Sequence, residues 1–368
     1  MHEKYMRLAL QLATKGKGKV NPNPMVGSVI VKNEKVIGQG YHENYGEAHA
    51  EVNAFKNATE DVTGATIYVT LEPCSHYGKT PPCVDKIIEN KISKVVIGSV
   101  DPNPLVAGKS IEKLKKCGIE VVTGVLEKEC NVINEVFFKY IVTKKPFVLL
   151  KCAMSLDGKI STSRGQSKWI TNDHSRHLVH ELRNELYGIM VGVDTVIKDD
   201  PQLTCRLRNG RNPVKIIVDT SLRVPLSAKI FEHDENKTEI IVATTEKSNT
   251  EKRLQLESLG VKVVMTDLKD EKVDLQHLMT LLGQLKIDGI LLEGGATLNY
   301  SALKQRIVDK IQIYIAPKII GGETAKTPVG GNGFELLKDA INVTNLTTRF
   351  IDNDVLLEGY IGYNITDN

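Results

Sequence analysis

The chain has 368 residues and nearly balanced charge, with 48 lysines and arginines against 45 aspartates and glutamates. The net charge is +3 and there is no basic stripe, which argues against nucleic acid as the main partner. The sequence has no run of about 18 apolar residues, so no membrane span is expected. The length suggests about two to three domains, and the six cysteines lack the spacing of a disulfide framework, so a cytoplasmic chain with reduced thiols is expected.

The first part of the chain alternates predicted helices and strands. The predicted helices cover residues 5–15, 49–56, 83–90, 109–117 and 127–142. The predicted strands cover residues 25–31, 35–40, 65–71, 94–100 and 119–123. This alternation is typical of an α/β layer fold.

A metal-binding pattern lies within this first part. The segment His49-Ala50-Glu51 is followed by Pro73-Cys74 and Pro82-Cys83, which resembles the zinc-deaminase signature H-x-E followed by P-C-x-x-C. One imidazole and two thiolates hold zinc and leave a fourth position for water, whose pKa falls to about 7. We therefore expect His49, Cys74 and Cys83 to bind zinc and Glu51 to move the proton of the water. The predicted helices place His49 and Cys83 at N-termini, where the helix dipole favours a thiolate.

The spacing of the two cysteines departs from the generic signature. Eight residues separate Cys74 from Cys83, where the generic pattern has two. Three interpretations stay open: the longer loop holds substrate, it weakens the metal assignment, or it brings in His76 as a ligand. A lone cysteine pair is usually buried and inert, and a lone His-x-Glu carries little information, so only the combination indicates a catalytic metal.

The segment Thr143-Lys144-Lys145-Pro146 is the predicted boundary between domains 1–144 and 145–368, because it is short and charged and its proline disfavours helix in the preceding residue. The predicted strands after it cover residues 147–153, 188–192, 214–219, 239–244, 261–265 and 289–293. The predicted helices cover residues 173–186, 248–258, 275–285 and 297–305. Further strands over 310–316, 343–350 and 355–363 are expected to lie antiparallel at an edge.

A second candidate site follows the strand over 289–293, where Gly294 and Gly295 precede a helix. Such glycines let backbone N–H groups approach a phosphate, although they are more often simple turns and the segment is not G-x-G-x-x-G. Arg223 follows another strand, and an arginine in that place suits the 2′-phosphate that distinguishes NADP from NAD. Each of these segments alone is more often a solvated loop.

Together the segments resemble the bifunctional riboflavin-biosynthesis deaminase/reductase family over nearly the whole chain. In the first part the resemblance rests on residues 21–27, 49–51, 72–83 and 101–104. In the second part it rests on residues 155–159, 199–206 and 293–299. The long loop between the cysteines is a feature of this family.

The resemblance implies a cytidine-deaminase-like three-layer domain followed by a dihydrofolate-reductase-like α/β domain. It implies zinc-dependent deamination of a diaminopyrimidinone ribosylamine 5′-phosphate, and then reduction of the ribosyl unit to ribityl by NADPH. The expected partner is thus a small phosphorylated pyrimidine, with no nucleic acid and no membrane. A homo-oligomer of unspecified size is also expected.

The resemblance also implies roles for particular residues. Pyrimidine and phosphate in the deaminase would be held by Asn23, His42, His76 and Lys79. NADPH would be contacted by Ala153, Trp169, Thr195, Asp199, Ser221 and the 295–301 loop, which includes Gly295, Ala296, Thr297, Leu298 and Asn299. The reductase substrate would be contacted by Lys151, Ser167, Arg183, Leu203, Arg206 and Glu293.

Among these, Arg183 and Arg206 suit the phosphate of the substrate. A solvent-facing or structural lysine is the alternative for Lys151, and the sequence identifies no general acid for the reduction. Two other classes remain open from the residues alone. A deaminase of nucleic-acid bases would share the zinc pattern but needs a basic or aromatic surface. A structural protein with a vestigial zinc site would not need Glu51.

Overall fold

The computed structural model describes residues 2–75, 81–103, 106–232 and 238–363. The chain divides into two compact units, Met1–Lys144 and Lys145–Asn368. Within the described residues, no helix is both long and apolar enough to cross a membrane.

The first unit is built on a five-stranded sheet. Its helices are α1 (His2–Ala13), α2 (Ala50–Lys56), α3 (Cys83–Glu89), α4 (Lys109–Lys116), α5 (Glu127–Ile133) and α6 (Glu135–Thr143). Its strands are β1 (Gly27–Lys32), β2 (Lys35–Tyr41), β3 (Thr66–Leu71), β4 (Lys94–Ser99) and β5 (Glu120–Val122). The strand order is β2-β1-β3-β4-β5, antiparallel among β2, β1 and β3 and parallel from β3 to β5.

Helices cover both faces of this sheet, which gives three layers. On one face, Ala54 of α2, Ile87 of α3 and Leu114 of α4 belong to a buried cluster with strand side chains. On the other face, Met6 of α1 and Cys130 of α5 belong to a second cluster. Apolar burial on both faces explains why the strands read as nearly continuous hydrophobic runs.

The predicted single helix over 127–142 is wrong, because the chain breaks into α5 and α6 at Asn134. The Asn134 side chain accepts a hydrogen bond from the Met25 backbone N–H (2.8 Å) and donates one to the Met25 carbonyl (3.0 Å). Asparagine side chains that bond to backbone groups favour non-helical conformations. The break therefore ties the second half of this segment to the loop that precedes β1.

The second unit is built on a nine-stranded sheet. Its strands are β6 (Phe147–Ser155), β7 (Gly188–Gly192), β8 (Val214–Val218), β9 (Ile240–Thr244), β10 (Lys262–Met265), β13 (Gly289–Leu292), β14 (Lys310–Ala316), β15 (Asn342–Ile351) and β16 (Asp354–Gly362). A separate two-stranded hairpin is formed by β11 (Leu268–Lys269) and β12 (Lys272–Val273). The helices are α7 (Asp173–Glu185), α8 (Val193–Asp199), α9 (Thr250–Ser258), α10 (Leu275–Gln284) and α11 (Ala296–Lys304). Single 3₁₀ turns lie at Thr14–Gly16, Lys229–Phe231 and Leu337–Asp339.

The strand order of the large sheet is β10-β9-β8-β7-β13-β6-β14-β16-β15. The strands run parallel from β10 to β14, whereas β16 is antiparallel to β14 and β15 is antiparallel to β16. The expected antiparallel edge is therefore confirmed. Most other predicted elements agree with the observed bounds to within about two residues.

Helix α7 is held at its first turn by the turn between β15 and β16. The buried Asp354 carboxylate accepts hydrogen bonds from the Asn172 backbone N–H (2.8 Å) and the Ser175 hydroxyl (2.7 Å). The Asn172 side chain caps the helix by accepting a bond from the Ser175 N–H. The start of α7 is thus bonded to residues that lie about 180 positions further along the chain.

Candidate active sites

Three predicted metal ligands come together in the first unit. His49 immediately precedes α2, Cys83 is the first residue of α3, and Cys74 follows β3. The His49 Nδ1 atom lies 3.3 Å from Cys83 Sγ and 3.5 Å from Cys74 Sγ. The ligand atoms of the three residues all lie within 4.8 Å of one another. Two helix N-termini and one strand end therefore converge on a single point.

These separations fit zinc. Bond lengths of about 2.3 Å to sulfur and about 2.0–2.1 Å to nitrogen, at tetrahedral angles, place sulfur and nitrogen ligands about 3.5 Å apart. The Cys83 backbone N–H donates to Cys74 Sγ (3.2 Å). A hydrogen bond from the Cys83 thiol lowers the pKa of Cys74 to about 4, whereas the pKa of Cys83 is raised.

Glu51 lies in the first turn of α2, beside these ligands, and its side chain is almost fully buried. Burial raises the pKa of the Glu51 carboxyl above its usual range, and the neighbouring Cys74 sulfur adds to this. The carboxyl is therefore suited to carrying a proton, which is the role that the sequence predicts for it.

A cavity of about 290 Å³ opens onto this cluster. It is bordered by His49, Glu51 and Cys74, and also by Asn23 and His42. The Asn23 side-chain amide lies 3.2 Å from His42 Nε2, and His42 Nδ1 lies 3.1 Å from the Ala48 carbonyl. Burial lowers the pKa of His42. This pattern fits a neutral imidazole that donates from Nδ1 to the Ala48 carbonyl and accepts at Nε2 from the Asn23 amide.

Of the other predicted residues, His76 and Lys79 lie outside the described residues. Sequence reasoning missed several residues that line the cavity, among them Glu72, Asp101 and Asn103. The Glu72 carboxylate accepts bonds from the Ser110 hydroxyl (2.6 Å) and the Gly108 N–H (3.0 Å). It also accepts a bond from the Asp101 N–H (3.3 Å), so Glu72 helps to hold Asp101 at the cavity. These residues could have been found from the sequence as polar residues that come soon after the predicted strands β3 and β4, because the ends of strands border the binding sites of α/β sheets.

The position of α2 depends on Gly40 of β2. A Cβ atom at Gly40 would lie 2.3 Å from the Ala54 nitrogen and 2.4 Å from the Ala50 carbonyl oxygen. Both are backbone atoms of the helix that carries Glu51 and follows His49. The missing side chain at Gly40 therefore sets how closely this helix approaches the sheet.

We expect Gly40→Ala to displace α2 and to weaken metal binding by the first unit. The added methyl group overlaps helix backbone, so the helix must move by a substantial fraction of an ångström. Zinc content after dialysis should fall below that of the unaltered protein, and the thermal midpoint of the first unit should fall. Gln39→Ala, at an exposed position of the same strand, is the control and should change neither quantity. Full zinc content in Gly40→Ala would contradict this account.

The second unit contains a larger cavity of about 1010 Å³. Six of the predicted cofactor residues and one predicted substrate residue line it: Thr195, Asp199, Gly295, Ala296, Thr297, Leu298 and Ser167. The Gly294–Gly295 segment leads directly from β13 into α11, and α8 brings Thr195 to the same wall. A Cβ atom at Gly295 would lie 3.3 Å from Thr195 Oγ1. The glycine segment and α8 therefore form one side of the cavity.

The remaining predicted cofactor residues are Ala153, Trp169, Ser221 and Asn299, which are not among the residues that line this cavity. Trp169 is 60% exposed and stacks against the Arg176 guanidinium, 4.6 Å from the ring centre. Asn299 is buried, and its amide donates to the Pro328 carbonyl (2.9 Å). Asn299 thus bonds to the loop beside α11. Arg223, by contrast, does line the cavity, and its guanidinium pairs with Asp194 (2.9 Å).

Three of the predicted substrate residues form a buried ion cluster. The Arg183 guanidinium binds both oxygens of Glu293, with Nε at 2.8 Å and Nη2 at 3.2 Å, and donates to the Thr204 carbonyl (3.0 Å). Lys151 Nζ lies 3.3 Å from the same carboxylate. Burial alone would raise the pKa of Glu293, but the charges of Arg183 and Lys151 lower it to about 2. The cluster therefore carries one negative and two positive charges.

Leu203 and Arg206 lie in the loop that follows α8. Leu203 is buried, whereas Arg206 is exposed and its backbone N–H donates to His180 Nδ1 (3.3 Å). Burial, together with the charges of Arg183 and Arg206, lowers the pKa of His180 to about 4. The guanidinium groups of Arg183 and Arg206 thus lie close enough to His180, near the end of α7, to affect its charge.

Two family models match the chain. The model described as the cytidine and deoxycytidylate deaminase zinc-binding region matches residues 1–99, and the model of the RibD C-terminal domain matches residues 146–357. The first match contains the His49, Cys74 and Cys83 cluster, and the second contains the larger cavity.

Whole-chain comparisons agree with the family models. The chain is 48% identical to the riboflavin biosynthesis protein RibD of Actinobacillus pleuropneumoniae, covering 96% of this chain and 94% of that one. It is 45% identical to RibD of Aquifex aeolicus, covering 96% of each chain. Among solved structures, Acinetobacter baumannii RibD matches with 37% identity and a TM-score of 0.87, and a Thermotoga maritima deaminase/reductase with 39% identity and a TM-score of 0.85; each match covers 98% of this chain and 99% of that chain. The chain therefore belongs to the RibD family of bifunctional, zinc- and NADPH-dependent deaminase–reductases of riboflavin biosynthesis.

Proposed function

We propose that residues 1–144 deaminate 2,5-diamino-6-ribosylamino-4(3H)-pyrimidinone 5′-phosphate and that residues 145–368 then reduce its ribosyl unit to ribityl. The observation that carries the proposal is the convergence of His49, Cys74 and Cys83 at a cavity bordered by Glu51. The Thermotoga maritima relative is named a diaminohydroxyphosphoribosylaminopyrimidine deaminase and 5-amino-6-(5-phosphoribosylamino)uracil reductase. The product expected from this chain is 5-amino-6-ribitylamino-uracil 5′-phosphate.

In the first reaction, His49, Cys74 and Cys83 hold the metal and Glu51 handles protons. A bound zinc ion supplies Lewis acidity that activates water. The Glu51 carboxylate would accept one proton from that water and pass it to a ring nitrogen, which keeps it, as the new C–O bond forms. Glu51 would then carry the second proton from the new hydroxyl group to the amine, so that the C–N bond breaks and ammonia leaves. Asn23 and His42, at the cavity wall, orient the ring.

In the second reaction, the cavity of about 1010 Å³ receives NADPH, which supplies the hydride. Backbone N–H groups at Gly295 and Ala296 precede and begin α11, where a helix dipole favours phosphate. Arg223 binds the 2′-phosphate of NADPH in place of its present partner Asp194, with which it forms an exposed ion pair. Lys151 and Glu293, bound to each other, orient the pyrimidine, and Arg206 offers an exposed guanidinium to the phosphate of the substrate.

The direct test is a coupled assay with the diaminopyrimidinone phosphate and NADPH that follows ammonia and NADPH absorbance together. Ammonia release should depend on substrate alone. NADPH oxidation should require the deaminated product. Oxidation of NADPH without prior ammonia release would contradict the proposed order.

Metal removal should separate the two reactions. After dialysis against a chelator, or in a Cys74→Ser variant, we expect zinc to fall well below one ion per chain and ammonia release to be lost. NADPH oxidation should persist when deaminated product is supplied, because the three proposed metal ligands all lie in residues 1–144. Cys117→Ser, at an exposed cysteine, is the matched control and should keep its zinc. Retained zinc in Cys74→Ser would reject the ligand assignment.

We further propose that the protein acts as a homo-oligomer in the cytoplasm. The six cysteines are all unpaired, which suits a compartment that keeps thiols reduced. Sedimentation of the purified protein tests the assembly.

A further inference from the structure

The loop that carries Arg206 is bonded to a single turn of α7. The Thr204 carbonyl accepts a hydrogen bond from the Arg183 guanidinium (3.0 Å). The Cys205 thiol donates to the His180 carbonyl (3.4 Å), and the Arg206 backbone N–H donates to His180 Nδ1 (3.3 Å). His180 and Arg183 are three positions apart, so they are neighbours on one face of the helix. Three consecutive loop residues are therefore attached to this face.

The conformation of this loop needs such attachments. Residues 200–213 join α8 to β8 and form no helix or strand of their own. Leu203, within the loop, has a φ of 54°, in the left-handed region that leucine rarely adopts. A backbone of this kind persists only where its surroundings hold it. The bonds from α7 thus help to fix the point at which the Arg206 side chain leaves the loop.

The bond to Arg206 depends on the charge of the His180 ring. Nδ1 can accept an N–H only while the imidazole is neutral, and the ring proton is then on Nε2. Burial lowers the pKa of His180 to about 4, and the charges of Arg183 and Arg206 act in the same direction. Of the other charged neighbours, Glu293 raises this pKa and His177 lowers it. The ring is therefore a neutral acceptor at neutral pH.

The bond between His180 and Arg206 sets geometry more than stability. Arg206 is exposed, so its N–H would bind water if the ring were absent, and no buried donor would be left unpaired. What the bond does determine is the direction of the loop at this arginine. Contacts between a guanidinium and a phosphate require fixed geometry, so a displaced backbone weakens them.

We propose that His180 is a positioning residue of the reductase site, whose neutral imidazole holds the Arg206 backbone so that the guanidinium meets the 5′-phosphate of the substrate. This inference rests on the proposed function, in which Arg206 binds that phosphate. The ring acts through Arg206 and takes no part in hydride transfer. Its loss should therefore weaken substrate binding and leave the chemical step unchanged.

A pair of variants separates the acceptor from the ring. His180→Phe keeps a ring but removes the acceptor, whereas His180→Asn supplies an amide oxygen that can accept the same N–H. In NADPH oxidation with deaminated product supplied, His180→Phe should raise KM by about 10-fold, equivalent to about 1.4 kcal/mol, and leave kcat within about two-fold. His180→Asn should restore most of the affinity. His177→Phe, at an exposed position one turn earlier on α7, is the control and should leave KM unchanged.

The 5′-phosphate provides a measurement that a purely structural role would not affect. With deaminated product that lacks its 5′-phosphate, His180→Phe and the unaltered protein should have equal kcat/KM, because Arg206 then has no phosphate to meet. In an Arg206→Ala background, His180→Phe should add no further increase in KM, since the two residues act through one contact. Equal losses with both compounds, or additive effects of the two substitutions, would overturn the inference.

Failure of the proposed function would be recognised separately. Absence of NADPH oxidation by the unaltered protein would reject the proposed reduction and the inference together. If Arg206→Ala kept the full preference for the phosphorylated compound, the role of Arg206 would be rejected, and that of His180 with it. If Arg206→Ala lost this preference while His180→Phe kept it, only the inference would fail.

Nitrogen NMR of the histidine rings tests the acceptor in the unaltered protein, so a His180→Phe variant that does not fold leaves the inference testable. The signals of His180 are those absent from His180→Asn. At about pH 6, above the pKa of about 4, we expect a neutral ring that carries its proton on Nε2. A doubly protonated ring at this pH, or a neutral ring with its proton on Nδ1, would overturn the inference.

Discussion

Replacing Glu51 by glutamine is expected to lower ammonia release by about 10²–10⁴-fold, the contribution typical of a positioned acid and base. The amide matches the carboxylate in shape but cannot carry the proton from water to the leaving amine. Because Glu51 lies beside the proposed metal ligands and is not one of them, zinc content should be unchanged. NADPH oxidation with deaminated product supplied should also be unchanged.

Glu47→Gln is the matched control, since Glu47 borders the same cavity from an exposed loop. It should retain ammonia release to within a few-fold. If Glu51→Gln released ammonia at the full rate, the proton-carrying role would be rejected even with zinc in place. If the variant lost its zinc, Glu51 would have to be regarded as supporting the metal site.

Replacing Arg183 by alanine is expected to destabilise the second unit by roughly 3 kcal/mol, the lower end of the cost of breaking a buried ion pair. The substitution removes a two-point contact with Glu293 and the bond to the Thr204 carbonyl. Lys151 keeps one contact with the carboxylate, which limits the loss. NADPH oxidation should fall sharply, because the cluster loses its orientation and one of its positive charges.

The pH dependence of stability provides an independent check on the same variant. A carboxyl with a lowered pKa stabilises the fold above its ordinary pKa, and this stabilisation disappears as the pH falls through the folded-state value. For Glu293 that value is about 2, held there by Arg183 and Lys151. Without Arg183 the pKa should rise, so acid unfolding should begin at higher pH. Arg176→Ala, on the same helix with an exposed pairing to Asp173, should leave acid unfolding of the unit unchanged.

Local patterns predicted much of the fold and the metal cluster. The strands over 188–192 and 310–316 have the predicted bounds, because the first ends at Gly192 and the second is followed by Pro317. The proposed ligands His49, Cys74 and Cys83 could be found from the sequence because histidine and cysteine in this spacing have few purely structural uses. Their convergence follows from a strand end and two helix N-termini that meet at one edge of the sheet.

Contacts between distant parts of the chain could not be predicted from local sequence patterns. The pairing of Arg183 with Glu293 joins positions 110 residues apart, and no periodicity indicates it. Helix α8 was missed because it has only seven residues, begins directly after β7, and has no side-chain cap at Gly192. The break at Asn134 was missed because its cause is a bond to Met25, far back in the sequence.

Helix α7 is fixed at both ends by carboxylates from the last third of the chain. Asp354 holds its first turn, and Glu293 binds Arg183 in its last turn. Thirteen residues span about 20 Å at 1.5 Å per residue, so the two attachments are far apart. A helix anchored in this way cannot rotate or slide without breaking one of them. The orientation of the Arg183 guanidinium is therefore set partly by the turn between the last two strands. Substitutions in that turn should affect the proposed reductase site, although the turn does not line it.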